Sequence, residues 1–388
     1  MRRSFGAIAA FYLGLRSVRR VYVLLYPLAS LLVLGSAAGC KRVAPPLPRQ
    51  DMPQGTPVAI VVPLGLPPLS VPRDNRPTRA TIALGRRLFY DPRLSDRDRI
   101  ACASCHQPER RFTDGERLSR GVSGTLAIRN APTLLNVAYL PFQFWDGRSA
   151  SLEEQAASPI SNPLEMNQPH AAAVAKLERD PVYRLMFTAA FSTEHVTLAR
   201  VEKALASFER TLLSGDSPFD RYEYGGDPAA LTAQQVRGLA IFRDPARGNC
   251  AACHTLGAHD ALFTDGKFHN TGQGITDDGR FSDEGRVHQT KVMTDTGAFK
   301  TPTLRNVAET APYMHDGNLK TLKDVIDFYA GGGNSNNYLD PEMKAIHLTG
   351  RDRADLLAFL DSLTGSLPPD SGPPDESPPA SGDKETKR

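Results

Sequence analysis

Four of the chain's five cysteines form two Cys-x-x-Cys pairs, Cys102/Cys105 and Cys250/Cys253, and each pair runs straight into a histidine, His106 (ACASCH) and His254 (NCAACH). That pattern is the signature of covalent c-type haem attachment. Two thioether bonds hold the porphyrin vinyl edges, the two intervening residues set the sulfur separation, and the adjoining imidazole reaches the iron as proximal ligand. Four cysteines serving as a disulfide pair or structural zinc ligands would not require a histidine directly after each pair. The sequence therefore predicts two c-type haems with His106 and His254 on the irons.

Haem of this kind is attached outside the cytoplasm, and the N-terminus supplies the means of export. The first 39 residues hold no acid, and five arginines precede an 18-residue apolar run, Val21 to Ala38, that leads into Gly39-Cys40. Basic residues, an apolar stretch and small residues before a cleavage point describe an export signal. Small residues leading into Cys40 resemble a bacterial lipoprotein signal, in which that cysteine is acylated, although Ala37 stands where Leu is usual. An uncleaved transmembrane anchor and simple secretion are the alternatives. Lys and Arg total 46 against 43 acids, so the chain after this segment carries a net charge of −2. The basic balance belongs to targeting, and nothing argues for nucleic acid.

The elements that must position the haems come from a duplication. Phe89-Tyr-Asp-Pro92 and Phe242-Arg-Asp-Pro245 precede the two haem motifs, and Phe112-Thr-Asp-Gly115 and Phe263-Thr-Asp-Gly266 follow them. Pro132-Thr-Leu-Leu-Asn136 matches Pro302-Thr-Leu-Arg-Asn306, and Asp146-Gly147 matches Asp316-Gly317 at the same offset. With 388 residues, 40% apolar and 23% charged, there is room for two cored domains, and collagen, coiled coil and wholesale disorder are excluded. Apolar spacing of three and four over Ala171–Phe191, Thr197–Leu213, Leu322–Phe328 and Asp352–Leu363 predicts helices, with no sustained strand alternation. The fold class is mainly α: two fused cytochrome c-type domains, each binding one covalent haem. The expected organisation is an export signal (1–40), a Pro-rich linker (41–75), an N-terminal domain (76–213), a C-terminal domain (214–365) and a disordered tail (366–388). Ten prolines between Arg42 and Arg79 and six from Pro368 to Pro379 predict extended, poorly ordered segments. The joint between domains is expected at Ser214–Pro228.

Over roughly residues 75 to 365 the chain resembles the bacterial dihaem cytochrome c peroxidase and MauG superfamily. The likeness rests on both CxxCH motifs, RNAPTLLNVAY (Arg129–Tyr139), FWDGR (Phe144–Arg148), EQ…P…NPLEM (Glu154–Met166) and TPTLRNVAETAPYMHDG (Thr301–Gly317). The resemblance implies hydrogen peroxide as substrate at the first haem, with Glu165 as acid-base and Gln155 holding bound peroxide or water in the distal pocket. Pro159 matches a position that limits what approaches the iron. Where some relatives close this haem with a histidine, gap-free counting from His106 to Asn130 reaches Val122, and Arg120–Gly124 offers no iron ligand; the next histidine after His106 is His170. The first haem is therefore expected to be open.

At the second haem, peroxidases of the reductively activated type supply a Met, and counting on from Pro312 reaches Tyr329 instead, the MauG-like pattern. A tyrosinate favours the higher oxidation states of iron. Met314, His269, His288 and His315 remain alternatives, with Tyr329 then merely a buried residue ending a helix. Trp145, the only tryptophan, matches an aromatic relay between haems, with a core anchor as the plain alternative. Asn130 with the carbonyls of Thr310 and Pro312 matches a calcium site. MauG passes oxidising equivalents to a protein substrate through a surface Trp two residues before its second CxxCH; Gly248 stands there in this chain. The electron source is then a small cytochrome c or cupredoxin, or a partner protein that is itself oxidised. Homodimers are common in the family. A plain electron carrier without peroxide chemistry is the reading from another class, and it should keep both irons closed.

Overall fold

The duplicated sequence folds into two copies of one helix pair. The computed structural model describes residues 51–375; the export segment, Cys40 and residues 376–388 lie outside the described residues. The first copy contains α1 (Arg79–Tyr90), α2 (Cys102–Cys105), α3 (Leu152–Ser161), α4 (His170–Arg179), α5 (Pro181–Phe191) and α6 (Leu198–Glu209). After α7 (Pro218–Glu223), the second contains α8 (Ala233–Arg243), α9 (Val287–Thr290), α10 (Leu322–Ala330) and α11 (Gly350–Asp361). A short antiparallel ribbon, β1 (Phe268–Asn270) with β2 (Ala298–Lys300), joins Phe268 to Lys300 in register.

α1 crosses α6 and α8 crosses α11 by the same device. A Cβ at Gly85 would lie 1.9 Å from the Ala204 carbonyl, and one at Gly238 would lie 2.0 Å from that of Asp355. Only glycine lets these backbones approach so closely. All four helices begin at a threonine whose hydroxyl accepts a backbone N–H from the first turn: Thr78, Thr197, Thr232 and Thr349. The apolar faces close two cores. Leu84, Leu88, Phe89, Phe112, Tyr183, Phe187 and Phe208 build the first, and Phe219, Phe242, Phe263, Leu356 and Phe359 the second. The apolar run from Ala171 to Phe191 is broken in two, because Pro181 lacks an N–H and Asp180 caps the restart through the Val182 N–H at 2.7 Å.

The Pro-rich stretch departs from its expected role as a loose spacer wherever it is described. Arg305 donates to the Gly65 carbonyl (2.6 Å), Tyr139 to that of Pro67 (2.9 Å), and the Ala261 N–H also to Gly65 (3.0 Å). Arg200 pairs with Asp51 at 2.9 Å. Prolines cannot donate, but their neighbours' carbonyls still accept, and buried donors of the two domains use them. The tail expected to be disordered packs likewise over residues 371–373, where Ser371 and Gly372 carbonyls take bonds from Tyr90 (2.5 Å) and Arg86 (2.7 Å).

The joint is packed as well. Ser214 exchanges bonds with Asn136 and Asn306, the equivalent asparagines of the two repeats. Asp220 on α7 forms a fully buried bidentate pair with Arg305, at 2.8 and 2.9 Å.

Candidate active site

α2 is a single turn made of the first Cys-x-x-Cys, closed by the His106 N–H donating to the Cys102 carbonyl at 3.0 Å. The second motif turns alike, His254 to Cys250, at 2.9 Å. Three-residue spacing on a turn puts both sulfurs of a pair on one side. Each imidazole then finds a carbonyl for Nδ1: that of Phe112 at 2.9 Å for His106, and that of Phe263 at 2.8 Å for His254. With Nδ1 donating, Nε2 keeps its lone pair for iron. Burial lowers both pKa values, so the rings stay neutral and able to ligate. The thiols and the imidazoles thus fit a covalent haem at each motif.

The distal candidates of the first site come from α3 and the turn behind it. Gln155 and Pro159 are one turn apart on the same side of α3. The chain then folds back, the Met166 N–H reaching the Pro159 carbonyl at 3.2 Å, which presents Glu165. Asn162 donates its amide to Glu165 Oε1 at 2.7 Å. Burial pushes the Glu165 carboxyl above its usual range, opposed by the Arg148 charge and by the Asn162 bond. Burial raises the thiols of Cys102 and Cys105, and the Glu165 charge adds a small contribution in the same direction.

Val122 sits directly against this acid. Its N–H donates to the Glu165 carbonyl at 2.8 Å, and Gly121 has no room for a Cβ, which would lie 2.1 Å from the Leu164 carbonyl. The loop from Arg120 to Leu126 is therefore pressed onto the distal turn while carrying no iron-ligating side chain. His170 is used elsewhere, its Nε2 on the Ala157 carbonyl at 2.8 Å.

At the second site, Tyr329 lies in the last turn of α10. Burial raises its phenol pKa, with further contributions from Cys253 and Cys250. The competing histidines differ in what they touch, and His315 keeps a buried Nε2 without a hydrogen-bond partner while His269 also engages the Cys253 thiol. His269 is held between Asp340 (2.6 Å) and Asp265 (2.9 Å), His288 is exposed beside Glu284, and His315 stacks on Phe299 with ring centroids 3.6 Å apart.

Trp145 lies where the two repeats meet. Its indole N–H donates to the Asn130 carbonyl (2.9 Å), its own carbonyl accepts from the Lys300 N–H (2.7 Å), and the Asn130 N–H donates to the His315 carbonyl (2.8 Å). Asn130 is buried and its amide nitrogen donates to the Glu116 carbonyl at 2.9 Å. The hairpin after Pro312 is thereby drawn onto Asn130.

Three residues of the site had no assigned role in the sequence. Arg148, quoted only within FWDGR, ties Asp146 (3.0 Å) beside Trp145 and acts electrostatically on Glu165. Glu209 on α6 is buried, with Oε2 lacking any hydrogen-bond partner, and burial pushes it up to about 8. Lys300 is a buried amine with no ion pair among the described residues. None belongs to a contiguous motif of its own.

Residues 79–228 match the family model described as di-haem cytochrome c peroxidase, and residues 235–364 match that of cytochrome c. The chain is 40% identical to the methylamine utilization protein MauG of Methylophilus methylotrophus, over 76% of this chain and 86% of that one. It is 36% identical to the cytochrome-c peroxidase IdrP1 of Pseudomonas sp. (strain SCT), over 78% and 86% respectively. Among solved structures it is similar to a MauG-like protein associated with microbial copper homeostasis, with a TM-score of 0.71, 35% identity, and coverage of 78% of this chain and 95% of the other.

Proposed function

The chain belongs to the di-haem cytochrome c peroxidase family that includes MauG, and from that premise we propose that it reduces hydrogen peroxide at the first haem and exchanges electrons through the second. It is an oxidoreductase of the peroxidase type with two c-type haems. The haems supply the irons at which the peroxide O–O bond is opened and oxidising equivalents are held. The remaining work falls to the protein. Glu165 takes a proton from one peroxide oxygen and gives it to the other, which leaves as water; Gln155 orients the bound molecule and Pro159 narrows the approach. Arg148 and Asn162 oppose the rise that burial gives this carboxyl's pKa. Trp145 would link the two haem sites, and Tyr329 would join His254 in holding the second haem.

The observation that carries this reading is the half-buried Glu165, bonded by Asn162 and backed by a Val122 loop free of iron ligands. Mixing the as-isolated oxidised protein with peroxide and reduced small cytochrome c tests it. Turnover without prior reduction is expected; a requirement for half-reduction would contradict an open first haem, and no turnover after reduction would leave a plain electron carrier.

A second reading is supported by Tyr329, whose phenol feels the charges of Cys253 and Cys250: electrons drawn from a partner protein that is itself oxidised. Gly248 stands where MauG has its surface Trp, so this chain lacks that exit route and the same protein substrate is not expected. The oxygen donors of Asn130, Thr310 and Pro312 suit Ca²⁺, with the Asn130 amide nitrogen already used on a carbonyl. The globular part is assigned to the periplasmic side, with Cys40 as lipid attachment.

A further inference from the structure

Lys300 ends β2 with 8% of its surface exposed. Its N–H is bonded to the Trp145 carbonyl, and two residues on, the Pro302 carbonyl lies against the His254 ring. Lys300 therefore occupies the short stretch between the inter-repeat tryptophan and the proximal histidine of the second haem. The buried arginines all have carboxylates: Arg305 has Asp220, Arg210 has Glu153, and Arg200 has Asp51. Among the described residues Lys300 has none, and burial alone lowers its pKa, to about 8. A buried cation is kept only where an anion compensates it. Haem brings two carboxylates, its propionates, on the edge away from the thioether-bonded vinyls.

We propose that Lys300 is the counter-charge of a propionate of the second haem and thereby raises that haem's affinity for an electron. The proposal rests on the assignment of haem to the second CxxCH, which a count of covalent haems by mass spectrometry checks separately. The test is a potentiometric titration of the full dihaem protein, with low-frequency resonance Raman spectra of the propionate bending band, in wild type, Lys300→Gln and Lys300→Arg. In Lys300→Gln the reduction equilibrium of the second haem is expected to fall about tenfold, or about 59 mV for a one-electron couple, with the first haem little changed and the propionate band shifted. Lys300→Arg should restore the potential. An unchanged second-haem potential or an unchanged band in a protein carrying two haems would overturn the proposal, as would a shift common to both haems that arginine does not restore. If Lys300→Gln does not mature, the band in Lys300→Arg decides, since exchanging ammonium for guanidinium at a bonded propionate must move it, and an unmoved band overturns the proposal. Fewer than two haems in wild type would instead strike the underlying assignment.

Discussion

Replacing Glu165 by Gln removes the proton-transferring group with little change of shape. The Gln Oε1 can still accept the 2.7 Å bond from Asn162, so the distal turn is preserved and the carboxyl chemistry alone is lost. General acid-base assistance contributes about 10²- to 10⁴-fold, equivalent to about 2.7 to 5.4 kcal/mol of barrier. Stopped-flow measurement of the second-order reaction of the oxidised protein with peroxide should show that loss. The pH profile adds a second constraint. Burial raises the Glu165 pKa, so the ionised base is fully present above the folded-state value and is lost as pH falls through it, above the ordinary Glu range. Arg148 and Asn162 both oppose that rise, so Arg148→Gln and Asn162→Ala should each move the acid limb to higher pH, and Glu165→Gln should abolish it. A Glu165→Gln rate within threefold of wild type, or an acid limb that survives the substitution, would refute the role.

Val122→His places an imidazole in the loop pressed against Glu165, and should convert the first haem of the oxidised protein to low spin and make activity depend on prior reduction, as read by EPR and by assay with and without reductant. Asp220→Asn leaves Arg305 buried without its counter-charge and should cost about 3 to 5 kcal/mol, seen as a lower midpoint in denaturant. Glu209 has a folded pKa of about 8 against 4.5 for the free side chain. The native state therefore keeps a proton that the unfolded chain has lost between these values, and its stability falls as pH rises through that window. Glu209→Gln should accordingly match wild type near pH 4.5 and exceed it by roughly 3 to 5 kcal/mol at pH 8 and above, by chemical denaturation at each pH.

What could be read from the sequence is what chemistry forces to be contiguous. Thioether attachment and proximal ligation need five consecutive residues, so both haem motifs stand out; the duplicated Phe-Thr-Asp-Gly segments supply the carbonyls of Phe112 and Phe263 that orient the two histidines, and the Pro-Thr-Leu segments bring the backbones of Pro132 and Pro302 to the same rings. Helical periodicity located α10 and α11, because each has one buried side, and α6, whose second half from Ala204 to Glu209 is buried all round. The contributions of Arg148, Glu209 and Lys300 were hidden, since each depends on how remote segments meet rather than on neighbours in the chain. The Pro-rich stretch misled for a related reason. Its composition reports missing donors, whereas its packing depends on carbonyls taken by Arg305 and Tyr139, far away in sequence.

The most direct test is low-temperature EPR and optical spectroscopy of the as-isolated oxidised protein, wild type against Tyr329→Phe, before and after one equivalent of hydrogen peroxide. A high-spin first haem, a second haem altered by the substitution and a peroxide-induced change at both haems are the predicted results. Two low-spin haems indifferent to Tyr329, with no response to peroxide, would contradict the account.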